Sequence, residues 1–157
     1  MSAKPELRRT LEARRAALAP SEVAAASAAV LEALRASVDW ASIRSVHVYR
    51  SVAEWGELDT SALVSWLEAT WPEVEVVQPT LSKTQPFPER KFDLILVPAL
   101  GFDRENNRLG LGGGWYDRFV AEQPQARKIG VAYAWACVGS GIPVEPWDMK
   151  LDAVVTG

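Results

Sequence analysis

The sequence has one cysteine and one histidine in 157 residues. A lone Cys137 leaves no intramolecular disulfide framework and no thiolate zinc cluster, which points to a reducing compartment; the residue reads as a small buried hydrophobe. A lone His47 removes the material for a Ser-His-Asp triad or a multi-histidine metal site, so it reads as structural. No run is long and apolar enough to span a bilayer, and the first residues are charged where a signal peptide would have its apolar core. Excess positive charge is missing as well. The formal net charge is −3 and the pI about 5.3, which argues against nucleic-acid or membrane partners and confines any anion site to a local cluster. Repeats and low-complexity tracts are absent, apart from an alanine-rich stretch at residues 24–29. The expectation is a soluble, cytoplasmic protein.

What the chain does have is 48% hydrophobic residues, enough for one sizeable core and a single domain over residues 1–157. Residues 4–18 read as a helix, with Leu7, Leu11 and Leu18 on one face and Lys4, Arg8 and Arg15 on another. A second helix runs over 21–35, with Ser21 as its N-cap and Val23, Val30, Leu31 and Leu34 as its core face. Ile43, Val46, Val48 and Tyr49 form a short strand, with His47 on the side opposite Val46 and Val48. A helix over 61–69, capped by Asp59 or Thr60, buries Leu63, Val64 and Leu67, and Trp66 and Trp71 complete its packing. Val74, Val76 and Val77 make another strand. Leu94, Ile95, Leu96 and Val97 are continuously apolar, as suits a strand covered on both faces, and Pro98 stops them. Strands at 129–133 and at Val154 and Val155 follow. Helices alternating with apolar strands predict an α/β domain of three layers around a mostly parallel sheet, with its ligand at the carboxyl ends of the strands.

The central strand runs into a glycine-rich loop. Gly110, Gly112, Gly113 and Gly114 lack the Cβ atoms that would keep backbone N–H groups from converging on an anion. A helix carrying Tyr116, Phe119 and Val120 at helical spacing follows, with Asp117 in its first turn, where a carboxylate can hold a magnesium ion on a phosphate. The run matches neither the dinucleotide fingerprint nor the P-loop pattern. Spacing alone leaves phosphate binding and a plain tight connection both open.

Val97, Pro98, Phe102, Asp103, Arg108, Leu109, Gly110, Gly112, Gly114, Trp115, Tyr116 and Asp117 together resemble the signature of 5-formyltetrahydrofolate cyclo-ligases, with Trp115 in place of that family's first tyrosine. Lys4 to Arg8 resembles the family's N-terminal K-x-x-L-R. Tyr49, Ser51, Glu57 and Thr60 resemble its Y-x-S and E-x-x-T, Ile129 to Tyr133 its next strand, and the tail around Asp148 its P-x-E-x-H-D-x-x-x-D-x-V-x-T. The resemblance implies a Rossmann-like, CoA-transferase-like sheet and ATP bound by Lys4, Pro5, Glu6, Leu7 and Arg8 together with Arg108, Leu109, Gly110, Leu111, Gly112, Gly113, Gly114, Trp115 and Tyr116. It further implies catalytic roles for Lys4, Arg8 and Tyr116. The folate would be met by Arg50, Glu57, Gly112, Gly114 and Trp115, with Glu57 on the pterin, and Mg²⁺ would be held by Asp117 and Asp148. The implied reaction phosphorylates the formyl oxygen of 5-formyltetrahydrofolate with ATP. N10 then attacks the activated carbon, and phosphate leaves to give 5,10-methenyltetrahydrofolate. A monomer or homodimer is expected.

Four departures from the family pattern stand out. The connection of residues 80–91 leaves no room for two elements that wall the folate pocket in relatives, although Phe87 can supply a fragment of that wall. Ala136 stands where a glutamine is common, Trp147 where a histidine is, and Gly157 where a glutamate often is. These departures keep two rivals open: a nucleotide-binding relative with an eroded folate pocket, and a sugar-phosphate or CoA-type enzyme on a similar sheet.

Overall fold

Residues 3–79 and 86–157 are described, by a computed structural model. At the centre lies β3 (Leu94–Pro98), whose side chains alternate between two apolar layers, Leu94 and Leu96 into one and Ile95 and Val97 into the other. A strand buried on both faces needs apolar residues at every position, and this one has them. Around it stand β1 (Ser45–Val48), β2 (Glu75–Val77), β6 (Arg127–Ala132) and β7 (Ala153–Thr156), in the order β2-β1-β3-β6-β7 and parallel throughout. The predicted α/β arrangement is the one observed.

Helices cover both faces. α2 (Pro20–Ser37) and α3 (Ser61–Thr70) bring Val30, Leu34, Leu63 and Leu67 against Val46, Val48, Leu94 and Leu96. On the other side α4 (Trp115–Ala121) packs Phe119 and Val120 against Phe92, Ile95 and Val97. α1 (Lys4–Ala16) makes an angle of 106° with α2 and joins a third cluster, in which Leu11 meets Leu100, Leu109 and Ile142. This placement carries the basic face of α1 to the ends of the strands. No single helix among the described residues is long and apolar enough to cross a membrane.

Two local expectations are corrected, those for Ser21 and Cys137. Ser21 is not the N-cap of α2: the cap is Ala19, with Pro20 at the first helical position, where its fixed φ suits the helix and its missing N–H is no loss. Lys4 and Arg15, on the other face of α1, are both buried. Cys137 is exposed, because it follows a short 3₁₀ turn in which Ala136 takes the inward position. β3 ends at Pro98, as expected, and the next residue, Ala99, still donates to the carbonyl of Val131 at 3.0 Å. The chain then turns back as an antiparallel hairpin of β4 (Gly101–Phe102) and β5 (Arg108–Leu109), which periodicity does not reveal because each strand has two residues. Of the two caps weighed for α3, Asp59 is the one that accepts from the Ser61 amide, at 2.9 Å, while the Thr60 hydroxyl donates to the carbonyl of Tyr49. The shortened connection lies in part, at residues 80–85, outside the described residues.

Candidate functional site

The hairpin after β3 is held shut by one buried carboxylate. Asp103 accepts from the amides of Glu105, Asn107 and Ile142 and from the Asn107 side chain, all at 2.9–3.0 Å. Burial alone would raise the pKa of Asp103, but these donors outweigh it and hold the group below the usual carboxylate range. The hairpin returns Arg108 beneath the glycine loop. Its Nε donates to the carbonyl of Pro98 at 2.7 Å, its guanidinium lies over the Tyr116 ring at 5.5 Å, and its Nη1 is 3.9 Å from Asp117 Oδ2. Burial pulls the Arg108 pKa down, opposed chiefly by Asp117.

Gly112 and Gly114 have φ of 106° and 71°, which an L side chain resists, and a Cβ at Gly110 would come within 2.7 Å of the Arg108 guanidinium. Gly113 has open space where its side chain would be. Arg8 reaches this loop from α1: its Nε donates to the carbonyl of Gly110 at 2.9 Å, and its Cζ lies 3.5 Å from where a Cβ of Gly112 would sit. One turn earlier Lys4 pairs through its ammonium with Asp148. Asp148 also accepts from the amide of Glu145, and Asp117 accepts from the amide of Met149 at 3.2 Å. The two expected metal carboxylates thus meet at one turn of chain. The described residues hold no cluster of three His, Cys, Asp or Glu side chains arranged for a metal. Arg118, which sequence reasoning passed over, donates to the carbonyl of Gly113 at 3.0 Å. Of the other residues expected at the nucleotide, Pro5 and Glu6 are exposed, Leu7 packs into the α1 cluster, Leu109 is buried, and Leu111 stands 45% exposed at the loop's rim.

The residues expected at the folate divide. Glu57 is buried, and its Oε2 accepts from the Val52 amide at 2.7 Å; burial raises its pKa, with that amide and the charge of Arg15 opposing. Tyr49 and Tyr133 hold the loop around it by donating to the carbonyls of Leu58 and Gly56. Arg50 goes elsewhere, donating to the carbonyl of Pro79 beyond the edge strand β2. Trp115 joins an aromatic group with Phe87, Tyr116 and Phe119 at ring separations of 5.4, 4.8 and 5.1 Å, and His47 stacks beneath it at 6.1 Å. Phe87 thus packs against Trp115 and Phe119. Tyr116 links the halves: burial raises its pKa, Arg108 opposes this, and the charge of Glu57 adds to it. Arg15 is the second residue that sequence reasoning left without a role, although its register with Lys4 and Arg8 on α1 was visible.

The family model for the 5-formyltetrahydrofolate cyclo-ligase family matches residues 67–157. The 5-formyltetrahydrofolate cyclo-ligase of Escherichia coli K12 is 36% identical over 84 residues, 53% of this chain and 46% of that protein; the mouse protein of the same name is 40% identical over 68 residues, 40% of this chain and 33% of that one. These alignments therefore span under half the length of the curated relatives. They leave open the matching of Lys4, Arg8 and Glu57, which precede the matched range. Structural likeness reaches further. A 5,10-methenyltetrahydrofolate synthetase from Mycoplasma pneumoniae superposes with a TM-score of 0.81 at 25% identity over 98% of both chains. One from Aquifex aeolicus gives 0.77 at 26% identity over 97% of this chain and 88% of that one.

Proposed function

The chain belongs to the 5-formyltetrahydrofolate cyclo-ligase family, and from that premise we propose that it closes 5-formyltetrahydrofolate to 5,10-methenyltetrahydrofolate at the expense of ATP, with release of ADP and phosphate, in a single domain spanning residues 1–157. The observation that carries the reading is a chain of contacts leading from the glycine loop: Arg8 of α1 donates to the Gly110 carbonyl, Lys4 one turn earlier pairs with Asp148 before β7, and Asp117 of α4 accepts from the amide of Met149 beside it.

Phosphoryl transfer asks a protein mainly for positioning and charge neutralisation. The peptide groups of residues 110–114 form the cradle for the triphosphate, with open space at Gly113 for its oxygens. Arg8 and Lys4 supply positive charge from one side and Arg108 from beneath. Tyr116, kept protonated by burial, keeps an O–H available to the formyl oxygen or the phosphate. Glu57 anchors the pterin at the other end and Trp115 forms the wall between. The formyl oxygen takes the γ-phosphoryl group, N10 attacks the activated carbon, and the C–O bond breaks as phosphate leaves.

Asp117 and Asp148 are the residues to hold Mg²⁺. Two carboxylates at one turn suit an ion that keeps several waters and binds phosphate, and Asp148 already attracts a cationic group in Lys4. When bound, the ion supplies charge neutralisation on the phosphates.

Mixing the protein with Mg²⁺-ATP and 5-formyltetrahydrofolate should produce the absorbance of the methenyl product. ATP binding without that product would favour the eroded-pocket reading, and product formation indifferent to Mg²⁺-ATP would overturn the proposal.

A further inference from the structure

The recess beside Glu57 contains a charge for which the proposed reaction has no use so far. Arg15 is 8% exposed, its Nε is fully buried, and among the described residues its guanidinium makes no hydrogen bond and no ion pair. Arginines taken that far out of water are normally paired with a carboxylate or with carbonyls. Gly56, at φ 66°, lies close against this turn of α1: a Cβ there would come within 2.9 Å of the Arg15 carbonyl oxygen and 3.2 Å of its Cγ. A buried Nε with no acceptor among the described residues is a donor prepared for something absent from the protein itself.

Its surroundings say what. Arg15, Tyr49, Glu57, Pro98 and Tyr133 line one recess with room for little more than a water molecule, so only the polar edge of a ligand, and not a whole ring system, can enter it. Both tyrosine hydroxyls already donate to backbone carbonyls, the Pro98 carbonyl accepts from Arg108, and Glu57 Oε2 accepts from Val52. What remains is the other carboxylate oxygen of Glu57 and the guanidinium of Arg15, opposite charges in one recess that do not close into an ion pair. A carboxylate ligand would be repelled by the first, and a ligand offering only N–H groups by the second. A planar ring edge with N–H and C=O on neighbouring atoms satisfies both.

We infer that Arg15 is a specificity-determining residue that donates to the ring carbonyl next to the N–H accepted by Glu57, so that the recess selects a 4-oxo over a 4-amino pteridine. The inference rests on the proposed function, which supplies the pteridine. It adds a residue on α1, the helix that also carries Lys4 and Arg8. One helix then reads both substrates, its first two turns meeting the phosphates and its last turn the ring.

The test is titration of tryptophan fluorescence in the full chain with 5-formyltetrahydrofolate and with a 2,4-diaminopteridine folate analogue, in the wild type, Arg15→Met and Arg15→Lys. Losing a hydrogen bond from a charged donor should move the ratio of the two affinities toward the diamino compound by about 10- to 100-fold in Arg15→Met, with a smaller shift in Arg15→Lys and unchanged affinity for Mg²⁺-ATP in both. If Arg15→Met does not fold, the shift in Arg15→Lys decides. An unchanged ratio, with both affinities intact or falling together, overturns the inference and leaves Arg15 as a packing residue. A wild type that binds neither pteridine overturns the proposed function itself.

Discussion

Arg8 and Gly110 lie 102 positions apart and are joined by a 2.9 Å hydrogen bond from the guanidinium Nε to the loop carbonyl. The same guanidinium lies beside Gly112, its Cζ 3.5 Å from where a Cβ there would sit. The helix bearing Arg8 is thereby fixed to the element it serves.

Arg8→Ala should weaken ATP binding by about 10- to 100-fold, the usual effect of losing a hydrogen bond from a charged group. Affinity for 5-formyltetrahydrofolate should stay within a factor of about 2, because Glu57 and Trp115 are untouched. Calorimetry with each ligand separately reads both numbers. Equal losses would mean that Arg8 supports the fold and not the nucleotide.

Neighbouring glycines of the loop should respond differently to the same substitution. Gly112→Ala forces an L side chain to φ 106°, a strained backbone that costs about 1–3 kcal/mol of stability. Gly113→Ala meets nothing within 4 Å, so thermal stability should be unchanged within error. Its methyl group nevertheless enters the space assigned to phosphate oxygens, so its ATP affinity should fall by at least about 10-fold, a loss of roughly 1.4 kcal/mol. An alanine at 113 with wild-type ATP affinity would show that the triphosphate does not enter the loop.

Much of this arrangement was legible in the residues. The apolar run of β3 set the sheet's centre, and the glycines after Arg108 marked the loop, because a strand buried on both faces and a turn without Cβ atoms leave clear compositional traces. The spacing of Lys4, Arg8 and Arg15 was visible as well, but a helical stripe of cations looks alike on a solvated surface and in a site. Only the docking of Leu11 against Leu100, Leu109 and Ile142 decides between them. Cys137 and the β4–β5 hairpin were missed for a related reason: strands of two residues and a 3₁₀ turn are set by tertiary contacts such as the four hydrogen bonds on Asp103, which have no period.

The pairing of Lys4 with Asp148 yields a prediction on stability as well as on activity. Their side chains are only 10% and 18% exposed, so Asp148→Asn takes a carboxylate from the ammonium in a place water reaches poorly, and destabilisation of up to roughly 3 kcal/mol should follow. The double variant Lys4→Met, Asp148→Asn should recover much of that in urea unfolding, because the ammonium is removed together with this carboxylate. Asp117→Ala, whose own ion pair is long at 3.9 Å, should leave the fold intact and abolish formation of the methenyl product. Retained turnover in Asp117→Ala would remove its metal role.

His47 makes stability depend on pH in a known direction. Its ring is fully buried among Phe92, Trp115, Tyr116 and Phe119, neither nitrogen has a partner, and burial lowers its pKa from 6.5 to about 4. The folded state therefore keeps the imidazole neutral while the unfolded chain protonates it below pH 6.5. The stability at stake is fully present above that pH and is lost progressively as pH falls toward 4, by about 2 kcal/mol between pH 7 and pH 5. His47→Leu removes the titrating group, so urea midpoints for the variant should change less than those of the wild type over the same interval by that amount. Parallel pH profiles for the two proteins would mean that the imidazole finds a partner for its proton inside the fold, and that the aromatic group around Trp115 is wetter than its packing shows.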